Sequence, residues 1–275
     1  MKNNYSLIHT LKTYGNLEDK NIDVIKAALI LAALDQPNID LNPYYSHVSG
    51  LSKAASKGKN IDELYSQIEF INQLMFKENG YKGDIKDYEN PENANLINVI
   101  DKRSGLPISI GILYIFAAQA AGYDIKGLAF PGHFLVRLSY ENERAIIDPF
   151  NLGIMHKPEQ LRDMLKQFVG VDAKLTPKYY RAVSNRDILL RLQNNIKGRA
   201  LQQNDSARAI EILERIILFA PNIAAVWKEL GVISIHTGNL NRAIHSIEKY
   251  RRLAVLKEEM VEANALINKI KMSLN

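Results

Sequence analysis

The spacing of apolar positions changes along this chain, and the changes divide it. From Val24 to Leu34 every residue except Lys26 is apolar. That run predicts a buried helix capped by Asn21 or Asp23 and stopped at Pro37 and Asn38. It is too short to span a membrane. A second helix is expected over 44–55. A third starts at Asn60 or Asp62, where Leu64, Ile68, Ile71, Leu74 and Met75 recur at helical spacing, and ends at Gly80. From 80 to 95 no period holds. Gly80, Gly83 and Pro91 mark turns, while Tyr81 and Tyr88 suggest an ordered loop that packs on something. A short helix over 93–100 leads onward.

Pro107 suits a first helical turn, and residues 108–121 are apolar almost all round, so this helix belongs inside the domain. Gly122 ends it. Residues 127–138 read as strand, turn, strand, with His133, Leu135 and Arg137 on one face and Phe134, Val136 and Leu138 on the other. A hairpin turn over 140–143 returns the chain through a strand ending at Asp148. This brings Asp148 opposite His133, or within one or two residues of it. A carboxylate beside an imidazole fixes its tautomer and raises its basicity, and the plainer alternative is a buried structural histidine. Ser104 and Ser109 stand near the helix start, where the dipole suits an activated nucleophile or an oxyanion. Their plainer roles are an N-cap for Ser104 and a locally bonded first-turn hydroxyl for Ser109.

The last third is helical. Residues 158–168 predict one helix. From Asp187 onward the pattern repeats: Ala209 and Ala243 are 34 residues apart, the tetratricopeptide (TPR) period. Trp227, Leu230, Gly231, Gly238 and Ile247 fit the second copy, and Ile196, Leu213 and Pro221 the first. Asp205 and Asn239 serve as matching N-caps. About two repeats are present where roughly three are usual for stability, so the module is expected to lean on the first domain. The expected fold is α+β: a helical N-terminal region with a small antiparallel sheet over 1–155, a connector over 156–185, and TPR-like helices over 186–275.

Composition narrows the chemistry. The 275 residues include no cysteine, which removes disulfides and thiol nucleophiles. The six histidines are scattered without metal-ligand spacing, and no phosphate or dinucleotide motif occurs, so neither metal nor cofactor is expected. The net charge is +5, with the excess in the C-terminal half. Those cations are interleaved with acids and lack a basic-aromatic motif, so nucleic acid is not an expected partner. Residues 1–5 lead into a polar segment without an apolar signal core, and the expected compartment is the cytoplasm.

Several words together resemble the SirB-type family, which joins a transglutaminase-like core to TPR repeats. They are 31–37 (LAALDQP), 80–84 (GYKGD), 87–91 (DYENP), Asn93, 103–109 (RSGLPIS), 130–137 (FPGHFLVR) and 147–151 (IDPFN). The resemblance implies a transglutaminase-like, papain-like fold with that site's His and Asp at His133 and Asp148. The usual Cys position falls near Pro107, with Ser109 one or two residues beyond. Family members often carry a second Gly where Leu152 stands and Arg where Ser104 stands. Tyr88, Asn93, Arg103, Pro107, Gly132 and Arg137 are expected to line or serve the cleft.

Three functions remain open on sequence. The leading one is a non-catalytic or regulatory protein whose cysteine-less cleft and TPR region bind a peptide or protein partner. The second is a hydrolase or acyl transferase using Ser109, His133 and Asp148. The third is a TPR adaptor with a purely structural first domain.

Overall fold

A computed structural model describes residues 2–36 and 38–272. Pro37, the expected helix stop, lies outside the described residues. The chain opens with helix α1 (Lys2–Gly15), then α2 (Val24–Ala33), α3 (Asn42–Ala55) and α4 (Leu64–Asn72), the last running into a π-helical turn at Gln73–Glu78. Asp23 caps α2 by accepting from the Lys26 N–H, and α2 is buried from Ala27 to Ala33. The stretch expected to be loop holds a short strand, β1 (Lys82–Gly83). It pairs in parallel with β2 (Ser104–Gly105) across the small helix α5 (Leu96–Lys102). Asn95 caps α5, and its amide also donates to the Ala32 carbonyl, tying α5 to α2.

Helix α6 (Pro107–Ala120) is the axis of this part. Only Phe116 and the C-terminal Gln119 and Ala120 escape full burial, as a helix apolar on every face requires. A four-stranded antiparallel sheet follows, with β3 (Asp124–Gly127), β4 (Val136–Tyr140), β5 (Glu143–Asp148) and β6 (Ile154–Met155) in that spatial order. Val136 pairs with Ile147 and Leu138 with Ala145; with Ile125 they make the buried face. On the other face Lys126, Arg137 and Ile146 form one cross-strand row. A second, small core lies there: Leu128, Phe130 and Leu135 pack with Leu161 and Leu165 of α7 (Pro158–Val169) and with Tyr179 and Tyr180.

The remaining helices are α8 (Asn185–Gln202), α9 (Ser206–Phe219), α10 (Ala224–His236), α11 (Leu240–Leu253) and α12 (Lys257–Met272). Asp205 accepts from the Arg208 N–H at 2.9 Å and Asn239 from the Arg242 N–H at 3.0 Å, so the two caps repeat in geometry as they do in sequence. Ala209 and Ala243 are fully buried, and Trp227 and Leu240 pack against a core of Ile247, Tyr250, Ala263 and Ile267.

Two compact units emerge. One is Asp19–Leu192; the other joins Met1–Glu18 to Gln193–Asn275. These divide the chain differently from the expected 1–155, 156–185 and 186–275. The expected connector lies in the sheet-bearing unit, and α1 packs on α9, with Leu11 and Tyr14 buried. Among the described residues no helix is long and apolar enough to cross a membrane.

Candidate functional site

His133 does not sit in a strand. It occupies a bend just before β4, because Pro131 and Gly132 break the extended backbone, Gly132 with φ +73°. The shared face expected for His133, Leu135 and Arg137 therefore does not extend to His133. The register would place His133 two residues beyond the opposite of Asp148, and the bend closes that gap. His133 Nε2 lies 2.9 Å from Asp148 Oδ1. The carboxylate accepts, so Nε2 is the donor. Gly132 is required twice: for its positive φ, and because a Cβ there would overlap the Phe168 ring. Phe168 stacks on the His133 ring at 6.2 Å and 15°, and Phe150 meets it edge-on at 5.7 Å and 86°.

Asp148 is fully buried and satisfied on every side. Oδ1 also accepts the Phe150 N–H at 3.0 Å and the Asn151 N–H at 3.3 Å, and Oδ2 accepts the Asn151 amide at 2.7 Å. A second imidazole, His156 Nε2, stands 3.4 Å from Oδ2, while the His156 backbone N–H is held by the Ile146 carbonyl. Burial alone would raise the Asp148 pKa. The donors from His133, His156 and Asn151 overcome it and hold the carboxyl well below the usual carboxylate range. His156 was invisible to sequence reasoning because it lies past a Gly-containing turn with no strand pattern of its own. The Asp148–Ile154 pairing is what delivers it.

Arg191, in the second turn of α8, was also missed. Its guanidinium donates to the Phe130 carbonyl at 2.8 Å and the His133 carbonyl at 2.6 Å, and lies over the Phe134 ring at 5.4 Å. Burial pushes its pKa down to about 10, so it stays charged at neutral pH. It clamps the bend that presents His133. Nothing in the sequence marks it, because its acceptors are main-chain carbonyls some sixty residues away.

The remaining expected residues divide. Tyr88 meets Phe150 edge-on at 5.9 Å, one ring removed from His133. Ser109 is fully buried, and its hydroxyl donates to the Asn93 carbonyl at 2.9 Å instead of to His133. The acceptor is sixteen residues back in the chain, so this is not the bond within the first turn that was expected. Asn93 is buried too, and its amide donates to the Asp87 carbonyl and braces the loop. Ser104 is in β2 and caps nothing; Leu106 stands at the N-cap of α6, with Pro107 first in the helix and buried. Arg103 adopts φ +56° and joins another cluster, donating to the Tyr81 hydroxyl at 2.6 Å beside His47 Nε2 at 2.7 Å. There burial, with help from the Arg103 charge, lowers the His47 pKa, and burial raises that of Tyr81 to about 12. Arg137 donates to the Tyr180 carbonyl. Among the described residues no group of three or more His, Cys, Asp or Glu could hold a metal ion.

Apolar side chains stand exposed beside the His–Asp pair: Leu152, Ile154 and Met155 around the edge strand β6, and Phe168 and Val169 at the end of α7. Asn72 anchors this rim. Its amide donates to the Gly153 carbonyl, and its Oδ1 accepts the Tyr114 hydroxyl.

A model of the transglutaminase-like superfamily matches residues 40–194, and a tetratricopeptide-repeat model matches 196–274. A UPF0162 protein of Xylella fastidiosa is 27% identical over 243 residues, covering 87% of this chain and 86% of that one. A UPF0162 protein of Vibrio cholerae is 28% identical over 224 residues, covering 79% and 82%. F-box only protein 21 of Mus musculus is 30% identical over 138 residues, 49% of this chain and 22% of that protein. Among solved structures, a crystal structure of menin has a TM-score of 0.40 at 11% identity, covering 97% of this chain and 77% of that one. Tetratricopeptide repeats generally mediate protein interactions, and the two domains together suggest such a role. With its core model spanning more than half the chain, its repeats following directly and its two UPF0162 relatives matched along most of their length, the chain belongs to the transglutaminase-like superfamily, in the SirB-type arrangement that joins such a domain to tetratricopeptide repeats.

Proposed function

We propose that this protein binds a polypeptide segment of a partner at its transglutaminase-like site and performs no acyl transfer there. The observation that carries the reading is the bonding of Ser109. A serine needs a base aligned within about 3 Å and oxyanion donors already in place. Here the hydroxyl is committed to the Asn93 carbonyl. The chain offers no cysteine in its stead. What the site keeps is a rigid, ionised Asp148 that holds two imidazoles, beside exposed apolar side chains on an unpaired sheet edge. An edge strand of that kind accepts an extended segment through main-chain bonds, and flanking apolar positions select its side chains. A cytoplasmic setting is part of the proposal.

Two measurements test it. Purified protein treated with fluorophosphonate and activated-ester probes is expected to stay unlabelled; labelling at Ser109 that vanishes in His133→Ala would promote the hydrolase reading instead. Peptides selected for binding to the full chain should lose affinity in the Ile154→Asp, Met155→Asp double variant and keep it in Val261→Asp, on exposed α12. The reverse pattern would move recognition to the repeats and favour the adaptor reading.

A further inference from the structure

The row Lys126–Arg137–Ile146 contains an electrostatic anomaly. Lys126 and Arg137 are direct cross-strand partners on one face of the sheet. Like charges placed opposite one another, with Cβ atoms about 5 Å apart, repel and weaken a sheet. Among the described residues only long, exposed ion pairs oppose this repulsion. Lys126 reaches the exposed Asp124, at 3.8 Å, and the neighbouring cation Arg162 the exposed Glu159, at 3.5 Å. Exposed pairs of that length contribute little. Among the described residues no carboxylate lies within ion-pair distance of Arg137.

The Arg137 guanidinium is also under-bonded. One nitrogen, Nη1, makes a long 3.4 Å bond to the Tyr180 carbonyl, and Nε is buried without a partner. The Nε–Nη2 edge therefore stands unused, and that edge is the one that grips a carboxylate or phosphate with two parallel hydrogen bonds. Arg162 lies on α7 next to Leu161, which packs in the same small core as Tyr180. Its charge is felt at the Tyr180 phenol, where it opposes the upward push of burial on the pKa.

We propose that Lys126 and Arg137, flanked by Arg162 and Tyr180, form a binding site for an oxyanion, distinct from the His133–Asp148 site and independent of its function. The bound anion sits between the two opposed cations and takes the free edge of the Arg137 fork. Nε is covered in the unliganded arrangement, so binding turns the Arg137 side chain away from the Tyr180 carbonyl, a bond long enough to give up easily.

The test is a titration of the full chain with inorganic phosphate and, separately, with acetate, at constant ionic strength, following the Arg137 Nε–H resonance by NMR. A saturable shift is expected. Response to phosphate alone identifies a phosphoryl-type ligand, and an equal response to acetate identifies a carboxylate. Arg137→Gln should abolish the binding-linked stabilisation of the protein. The Lys126→Gln, Arg162→Gln double variant changes two side chains that are more than half exposed and leaves the core alone. It should weaken binding by at least about tenfold. No saturable shift with either anion, or undiminished affinity in the double variant, overturns the proposal.

Discussion

Replacing Asp148 by Asn keeps the shape of the side chain and removes its charge. The Asn oxygen can remain at the Oδ1 position and go on accepting from His133, Phe150 and Asn151, but as a neutral acceptor. At the Oδ2 position an NH₂ now faces the Asn151 amide and His156, donor against donor. Flipping the Asn151 amide relieves part of that clash. Bonds to charged groups are each worth roughly 1.5–3 kcal/mol and bonds to neutral groups about 1 kcal/mol, so weakening three and disrupting two costs about 4 kcal/mol or more at pH 7. The pH dependence is the sharper signature. The folded-state pKa of Asp148 is depressed, so its contribution is complete above the ordinary carboxylate range and is lost as pH falls below it. Asn does not titrate. The gap between wild type and Asp148→Asn should therefore be widest at neutral pH and shrink below about pH 4. Hydrogen exchange of β4 and β5 amides is the suitable assay, because Trp227, the one tryptophan, reports on the other unit. A gap that stays constant between pH 7 and pH 3 would refute the claim that the ionised carboxylate organises the site.

Three further outcomes are expected. Gly132→Ala forces a positive φ on a side chain and drives its Cβ into Phe168, so it should cost about 2 kcal/mol or more in thermal melts and weaken peptide binding; an unchanged melt would contradict the close packing of Phe168. Leu152→Gly should stabilise the chain by about 0.5–1 kcal/mol, since Leu152 holds φ +56° while over half exposed, and any loss would show that the backbone there is unstrained. A fragment of residues 193–275 should melt broadly and early, and fusing residues 1–18 to it should sharpen the transition; equal melts would show α1 to be dispensable to α9.

Local pattern carried most of the fold. The apolar run of α6, the cap at Asp23 and the 34-residue echo of Asp205 and Asn239 are set by neighbours in sequence, and all stand where the pattern predicts. The His133–Asp148 pairing was legible because a tight hairpin fixes register over a few residues. Other features depend on partners far along the chain. β1 and β2 are two residues each and exist through a parallel pairing that no alternation announces. Ser109 could be judged only once Asn93 was in place, and Arg191 only once the bend at Phe130 and His133 was. The family's second glycine at the Leu152 position finds its reason in a left-handed backbone that the sequence disguises with a leucine.

The pairing of α1 with α9 has a consequence for synthesis. Gly15 ends the first helix, and the Leu218 carbonyl and Pro221 ring that pack on it are about two hundred residues further along. At roughly 5–20 residues per second, a ribosome takes about 10–40 seconds to make that distance. Throughout that interval the face of α1 that carries Leu11 and Tyr14 has no mate, while the sheet-bearing unit between can already collapse. The nascent chain thus carries an uncovered apolar face on α1 until α9 emerges. The unit to which α1 belongs therefore closes only after the whole of the sheet-bearing unit has been made.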